Sequence, residues 1–335
     1  MPLSIAVVGV AHWHAPIYLE IFRTLGCPIV GASDLDIIAG QAACLRLGLD
    51  FTQDAGDMLA RTRPDFVVLL PRHDRALEEL APVLDRRVPF LIEKPMGVSG
   101  KVAQDVARRT RAAGVWAVPA LPNRLLEIWA RLRLLEASGK LGRVMHASFR
   151  LINGPPGRYR TLHHVPWMLD PGLGGGGALR NLGMHGADAT LMLAGGTPPE
   201  LIGARTTRHG FEEDIDEYAA ALLALEGGAA VQIEAGYSWA PSTNGDFEWR
   251  IAATGAYLQQ TKGRLMVHLA TGEIETLDTV QPSYAPMIER VFADLRAGRA
   301  PFATLEECAA ATTLCDAIYA AAAKFNSPAA SGVSR

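Results

Sequence analysis

The chain has 335 residues, of which 49% are hydrophobic and 20% charged, with a formal net charge of -3. These values are typical of a globular protein, and the length predicts about two domains. Such a small net charge gives no long-range field for nucleic acid or an anionic membrane, so we expect neither partner and favour small polar metabolites.

The sequence has no pattern typical of a secretory signal, a membrane span or a cysteine metal site. The sequence enters a strand pattern at Ser4 without a basic region or cleavage site, and no apolar run approaches the roughly 18 residues of a membrane span, so we expect a cytoplasmic location. The cysteines lack CxxC spacing and are predicted to be buried thiols: Cys27, Cys44, Cys308 and Cys315.

The first third of the chain alternates short apolar runs with helix-length amphipathic segments. The predicted strands cover residues 5–8, 29–33, 66–70, 90–92 and 115–118, with a further short strand near Phe51. The helices between them include 37–47, 75–86 and 101–113. Continuous apolar strands separated by helices indicate a parallel sheet covered on both faces. Residues 1–121 are therefore predicted to form a doubly wound α/β domain.

The pattern changes to longer, alternating strands after a helix over 125–138. These strands cover 144–151, 201–207, 218–225, 230–237 and 247–253, with turns at 226–228 and 244–246. Helices are predicted over 179–193, 286–296 and 305–323. Residues 122–326 thus predict an α+β domain with a mainly antiparallel sheet, and 327–335 a disordered tail.

The first strand leads into a turn where a GxGxxG motif would meet a pyrophosphate. Gly9 is retained, whereas Ala11 and His14 occupy the second and third glycine positions. Gly9 can make the tight turn, Ala11 permits close backbone approach, and the next helix points its amino terminus at phosphates. We predict a cofactor loop that also contains His12 and Trp13.

An acidic residue follows the second strand. The spacing between the glycine turn and Asp34 is close to the roughly 20 residues expected for an acid that binds an adenosine ribose. The Asp34 carboxylate would repel a 2′-phosphate, which favours NAD over NADP. Alternatively, Asp34 is a turn or N-cap residue, and Asp36 could take either role.

Two further motifs carry polar groups. Lys94 closes the apolar run 88–92 within Glu93-Lys94-Pro95, at a strand end that would face a ligand crevice; the alternative is a solvated strand end. Four glycines at 174–177 precede a predicted helix in which Asn181, His185 and Asp188 would share one face.

These motifs together resemble the glucose-fructose oxidoreductase, inositol dehydrogenase and MocA family, written Gfo/Idh/MocA. The residues that carry the resemblance are the Gly9 turn, Asp34, Pro71, Glu93-Lys94-Pro95, Arg124, Trp167 with Asp170-Pro171, and Asn181-x-Gly183-x-His185-x-x-Asp188. The resemblance implies a Rossmann domain, a second domain with an open-faced antiparallel sheet, and NAD(P)-dependent oxidation or reduction of sugars, cyclitols or related polyols.

The resemblance also implies roles for individual residues. Lys94 would hold the reacting oxygen and help to orient the nicotinamide of the cofactor. His185 would accept the proton of that oxygen, as an imidazole with a pKa near 6.5 can. Many family members have Asp where this chain has Asn181, so we expect His185 to act as base alone. Further expected contacts are Pro71 and Glu93 to the cofactor, and Arg124, His163, His164 and Trp167 to the substrate; Trp167 could equally be a core residue.

Alternative readings remain open at this point. The pairs His12 with His14 and His163 with His164 lack a nearby cysteine or acidic set, so we expect no metal. Some relatives retain NAD and hydrolyse glycosides, and a non-catalytic NAD sensor is a third possibility. An exposed sheet face would favour a homodimer or homotetramer.

Overall fold

A computed structural model describes residues 2–208, 210–237, 245–279 and 284–326. The helices are α1 Ala15–Thr24, α2 Ile37–Leu47, α3 Ala55–Thr62, α4 Ala76–Asp85, α5 Gly100–Ala113, α6 Glu127–Ala137, α7 Arg158–Thr161, α8 Pro171–Gly174, α9 Met184–Ala194, α10 Tyr284–Arg296 and α11 Leu305–Asn326. The strands are β1 Ile5–Val8, β2 Ile29–Ser33, β3 Phe66–Leu69, β4 Phe90–Ile92, β5 Ala117–Pro119, β6 Val144–Asn153, β7 Glu200–Thr207, β8 Tyr218–Ala224, β9 Ala230–Tyr237, β10 Asp246–Ala253, β11 Ala256–Thr261, β12 Arg264–Leu269 and β13 Ile274–Asp278. The expected disordered tail, 327–335, and residue 244 of an expected turn lie outside the described residues.

The chain divides into two compact units, each made of three chain segments. Unit 1 comprises Met1–Pro122, Tyr159–Gly175 and Ser283–Ala310. Unit 2 comprises Asn123–Arg158, Gly176–Pro282 and Ala311–Arg335. The expected division into domains 1–121 and 122–326 stays a prediction.

Unit 1 contains a five-stranded parallel sheet in the order β2-β1-β3-β4-β5. Every residue of β1, β3 and β4 is buried, as expected for strands covered on both faces. This confirms the doubly wound fold class. Two details were wrong: Phe51 forms a single bridge to Ala32 rather than a strand, and the fifth strand lies at Ala117–Pro119.

Unit 2 contains an eight-stranded sheet in the order β13-β12-β11-β10-β6-β9-β8-β7. Its neighbouring strands are antiparallel except for the parallel pair β6 and β9, so the sheet is mixed and mainly antiparallel, which confirms the expected class. Helix α9 packs against β6 and β9, and α6 packs against β11. The sequence did not predict β11, β12 or β13.

The helix expected over 179–193 has a different first turn. Leu179–Gly183 forms a π-helix, and α9 begins only at Met184. The α-helix expected to begin at residue 179 therefore begins later, and the spacing between Asn181 and His185 includes the wider turn of a π-helix.

The structure also bears on the cysteines and on membrane-spanning helices. All four cysteines are buried thiols, as expected. Over the residues that the structure describes, no helix is both long and apolar enough to cross a membrane.

Candidate functional site

The carboxyl ends of three strands of unit 1 carry the residues singled out from the sequence. Gly9 follows β1, Asp34 follows β2, and the Glu93-Lys94 pair follows β4. Because these strands are parallel members of one sheet, their carboxyl ends lie at the same edge, where open α/β sheets bind ligands.

In the turn after β1, the backbone of Gly9 lies close to the backbone of Leu70. Gly9 has a φ of +82°, and a Cβ at this position would lie 2.1 Å from the carbonyl oxygen of Leu70. A side chain would therefore be excluded both by the backbone conformation and by the neighbouring strand. The tight turn expected at Gly9 is present.

Asp34 links this turn to the loop after β2. Its Oδ2 accepts a hydrogen bond of 2.9 Å from the N–H of Ala11, and its Oδ1 accepts one of 2.9 Å from the N–H of Asp36. Burial raises the pKa of Asp34, against the lowering effect of these two N–H donors. Asp36, not Asp34, is the N-cap of α2, where it accepts a hydrogen bond from Ala39.

A pocket of about 700 Å³ opens beside the turn, and its residues all belong to unit 1. The lining includes Ala11, His12, Asp34, Arg72, His164 and Trp167. An adjacent pocket of about 550 Å³ shares Asp34 and Glu79 with the first. The segment 159–175, expected in the substrate domain, thus supplies one wall of the pocket beside the glycine turn.

An aromatic cluster covers the turn. Trp13 stacks on His12 with ring centroids 3.9 Å apart, and it contacts Tyr159 and Trp167 at 5.5 and 5.8 Å. Trp167 also makes an edge contact with His73 at 4.9 Å. Trp167 is half-buried, so it is both a packing residue and part of the pocket lining.

Glu93 is the centre of a buried hydrogen-bond network. Its Oε1 lies 2.8 Å from His14 Nδ1 and accepts a 2.8 Å hydrogen bond from the Tyr18 hydroxyl, while Oε2 accepts from the N–H of Lys94 at 3.1 Å. The Tyr284 hydroxyl lies 3.0 Å from the same His14 nitrogen. Burial favours the neutral acid, but His14, Lys94 and Tyr18 hold the pKa of Glu93 below its ordinary value.

Lys94 is buried, with 3% of its surface exposed. Burial lowers the pKa of its ammonium, while Glu93 and Cys308 raise it. The following peptide bond, to Pro95, is cis. The alternative of a solvated strand end is therefore wrong for Lys94.

Unit 2 holds the second set of expected site residues, of which Asn181, His185 and Asp188 are buried and Arg124 is half-buried. The Asn181 side-chain amide donates to the Tyr237 hydroxyl at 3.3 Å. Arg124 forms a bidentate ion pair with Asp188, with distances of 2.6 Å from Nη2 to Oδ1 and 2.9 Å from Nε to Oδ2. His185 is buried in the same unit, with 8% of its surface exposed.

The remaining expected residues lie in unit 1. Pro71 is buried directly after β3. His163 is half-buried beside Tyr159, and His164 is exposed with a φ of +57° at the pocket. Arg72 and Glu79 at the pocket were missed, because both lie in a segment that the sequence pattern describes only as a loop and helix.

The residues beside the turn fit a dinucleotide. The tight turn at Gly9 permits close backbone approach, and the Asp34 carboxylate can accept hydrogen bonds from a diol. The buried His12 Nε2, which has no hydrogen-bond partner in the described part of the chain, can donate to an anion. Across the described residues, no group of three or more His, Cys, Asp or Glu side chains is arranged to hold a metal ion.

Comparisons with known proteins agree with this fold. Residues 129–259 match the GFO/IDH/MocA C-terminal domain family. The trans-1,2-dihydrobenzene-1,2-diol dehydrogenase of Macaca fascicularis is 32% identical over 139 residues, which is 41% of this chain and 38% of that protein. The match to this curated relative thus spans well under half of its length.

Solved structures resemble the chain over nearly its whole length. An oxidoreductase from Agrobacterium radiobacter, in complex with NAD+, L-tartaric acid and magnesium, has a TM-score of 0.81 at 19% identity, covering 97% of both chains. Levoglucosan dehydrogenase, in complex with NADH and L-sorbose, has a TM-score of 0.80 at 14% identity, covering 96% of this chain and 97% of that one. At these identities the likeness is one of fold. Residues 129–259 thus match the C-terminal domain of the Gfo/Idh/MocA family, and the chain shares the fold of these solved oxidoreductases over nearly its whole length.

Proposed function

We propose that the protein is an NAD(P)-dependent oxidoreductase, with NAD preferred, that transfers a hydride between the nicotinamide and a CH–OH group of a sugar, cyclitol or related polyol. The observation that carries this proposal is the placement of Gly9, Asp34 and Lys94 at the carboxyl edge of one parallel sheet. The complexes of structural neighbours with NAD+ and L-tartaric acid, or with NADH and L-sorbose, support the same class of reaction.

In this proposal the residues of unit 1 bind the cofactor and hold the reacting oxygen. The glycine turn receives the diphosphate, Asp34 accepts hydrogen bonds from the adenosine ribose, and the Lys94 ammonium stabilises negative charge that develops on the substrate oxygen. The buried Glu93 network fixes the backbone at Lys94. The bound nicotinamide supplies the hydride chemistry.

The proposed role of unit 2 is substrate binding and proton transfer. We assign the proton acceptor to His185 and the orientation of substrate hydroxyls to Asn181, whose amide cannot share a proton. Arg124 of unit 2, together with His163, His164 and Trp167 of unit 1, is proposed to contact the substrate. We also propose assembly as a homodimer or homotetramer and a cytoplasmic location.

The direct test is NADH formation by the purified protein with NAD+ and a panel of sugars and polyols. Lys94→Ala should lower kcat/KM by roughly a hundredfold or more, since it removes a charge from the reacting centre. Lys101→Ala is the matched control, because Lys101 is a surface lysine in α5. Equal activity of both variants would exclude the proposed role of Lys94.

The same panel separates the alternatives. Release of an aryl alcohol from a glycoside without net NADH would indicate an NAD-retaining hydrolase. Binding of NAD without turnover of any substrate would indicate a sensor. His185→Ala with unchanged kcat across pH would exclude His185 as the base.

A further inference from the structure

Several backbone N–H groups of the glycine turn, residues 9–14, already donate hydrogen bonds to other groups of the protein. The Ala11 N–H donates to Asp34 Oδ2 at 2.9 Å, and the His12 N–H donates to the Gly9 carbonyl oxygen at 3.1 Å. The His14 N–H donates to His12 Nδ1 at 3.1 Å. These N–H groups are of the kind that a glycine-rich turn normally offers to a pyrophosphate. A dinucleotide bound here needs a donor from elsewhere in the turn.

The His12 side chain has a defined tautomer. Because Nδ1 accepts the hydrogen bond from His14, a neutral imidazole carries its proton on Nε2. Burial, together with the charges of His14, His73 and Lys94, lowers the pKa of His12 well below its ordinary value and keeps the ring neutral. The ring is also held in place by its stack on Trp13.

His12 Nε2 is a buried donor that has no hydrogen-bond partner among the residues that the structure describes. His12 is 4% exposed and lines the pocket of about 700 Å³ together with Asp34. Buried donors in native proteins are almost always satisfied by protein, water or ligand. Residues 9–14 contain no lysine or arginine, so no cationic side chain of the turn can take over this task.

Helix α1 adds a second reason to place an anion here. It runs from Ala15 to Thr24, directly after the turn, and its N-cap residue His14 provides no side-chain cap. The amino end of a helix carries partial positive charge that favours phosphate.

We propose that His12, in its neutral Nε2–H tautomer, donates a hydrogen bond to a phosphate oxygen of the bound dinucleotide and replaces the backbone donors that the turn uses internally. This assignment rests on the proposed function, since it requires that the pocket bind a dinucleotide. It makes the histidine at this position a diphosphate-binding residue.

Two substitutions of His12 distinguish the roles of its two ring nitrogens. His12→Asn keeps an acceptor near the position of Nδ1 for the His14 N–H but removes the donor at Nε2. His12→Gln places an amide donor near the position of Nε2. The matched control is His146→Asn, because His146 is an exposed residue of β6.

The measurement is calorimetric titration of wild type and the three variants with NADH, ADP-ribose and adenosine. We expect His12→Asn to weaken NADH and ADP-ribose binding by about ten- to a hundredfold, as for a lost hydrogen bond to a charged group, with adenosine binding unchanged. His12→Gln should recover most of the affinity, and His146→Asn should bind like wild type.

A spectroscopic readout covers the case in which a variant does not fold. Histidine side-chain ¹⁵N spectra of the wild-type protein should show His12 protonated on Nε2, with a shift of that nitrogen when ADP-ribose is added and no shift with adenosine. A proton on Nδ1, or an Nε2 that does not respond to ADP-ribose, would overturn the inference.

The outcomes also separate this inference from the proposed function. If wild type binds neither NADH nor NADPH, the proposed function itself fails. If wild type binds NADH and folded His12→Asn binds it equally well, the function stands and the role of His12 is wrong.

Discussion

At the scale of single residues, Glu79 is a buried acid beside the glycine turn. Its Oε2 has no hydrogen-bond partner over the described ranges of the chain, and it would lie 2.8 Å from a Cβ on Gly9. Burial, followed by the charge of Asp34, raises its pKa well above the ordinary value, against the opposing effects of Arg72 and Arg75. The folded protein therefore holds this proton to a higher pH than the unfolded chain does.

This difference predicts a pH dependence of stability. A raised pKa in the folded state gives stability that is full below the ordinary pKa of a glutamate and declines as the pH rises through the folded value. Glu79→Gln cannot ionise, so its free energy of unfolding should exceed that of wild type by a margin that grows with pH, reaching about 1–3 kcal/mol. Urea unfolding at several pH values measures this margin.

The control for that experiment is the neighbouring residue. Glu78 lies on the same helix with more than half of its side chain exposed, so Glu78→Gln should change the free energy of unfolding by no more than about 0.5 kcal/mol. A pH-independent difference between Glu79→Gln and wild type would show that the pKa of Glu79 is not raised in the folded protein, which would contradict the prediction.

The Arg124–Asp188 pair predicts a second effect at residue scale. Both side chains are buried, and removing one partner of such a pair costs about 3–5 kcal/mol because the other charge is left uncompensated. We expect Arg124→Met and Asp188→Asn to lower the free energy of unfolding by this amount, and the double variant to lose less than the sum of both.

Steady-state kinetics of Arg124→Met distinguishes a structural role of Arg124 from a role in substrate binding. A residue that only binds substrate would raise KM on substitution and leave the unfolding free energy unchanged. That result would contradict the structural role that the ion pair indicates and favour the expected substrate contact.

At the scale of elements, the π-helix before α9 depends on a residue far away in sequence. Asp216 Oδ1 accepts hydrogen bonds of 2.6 Å from both the Gly177 N–H and the Tyr319 hydroxyl, and Oδ2 accepts one of 2.8 Å from the Leu179 N–H. Asp216 thus acts as a cap for Leu179–Gly183, although it follows this segment by more than thirty residues in the chain.

Removing this cap should destabilise unit 2. We expect Asp216→Ala to lower the free energy of unfolding by about 2 kcal/mol or more, because a cap is lost and buried donors remain unsatisfied. Asp214→Ala, at an exposed position two residues earlier, should change stability by no more than about 0.5 kcal/mol. Equal losses in both variants would show that Asp216 does not stabilise the π-helix.

Local sequence patterns predicted those strands whose position is decided mainly by the burial of apolar residues. The buried runs of β1, β3 and β4 are continuous and apolar, so their type and position followed from the sequence. The ends of parallel strands share one edge, so Gly9, Asp34 and Lys94 could also be placed together.

Other elements depend on distant contacts. The π-helix Leu179–Gly183 was missed because its cap, Asp216, is remote in sequence. The strand β12 was missed although its residues alternate between buried and more exposed positions. The assignment of 159–175 to unit 1 follows from contacts such as His73 Nδ1 to the Gly174 carbonyl oxygen at 2.8 Å. No local pattern in either segment indicates such a contact.

At the scale of the whole molecule, the central claim is that the protein binds a nicotinamide dinucleotide and uses it for hydride transfer. Binding alone predicts that NADH raises the free energy of unfolding by about 2.7 kcal/mol at a hundredfold excess over Kd. Thermal unfolding with NADH and with NADPH compares the two cofactors, and the carboxylate of Asp34 predicts the larger shift for NADH. A larger shift with NADPH would contradict that preference.

The most direct measurement of the central claim follows the hydride itself. The protein is incubated with NAD+ and a panel of sugars and polyols deuterated on carbon, and the nicotinamide is analysed by mass spectrometry. Direct hydride transfer predicts deuterium in the reduced cofactor with wild type and Lys101→Ala, and little or none with Lys94→Ala. A wild-type protein that binds NAD+ but yields no deuterated cofactor across the panel would contradict the account.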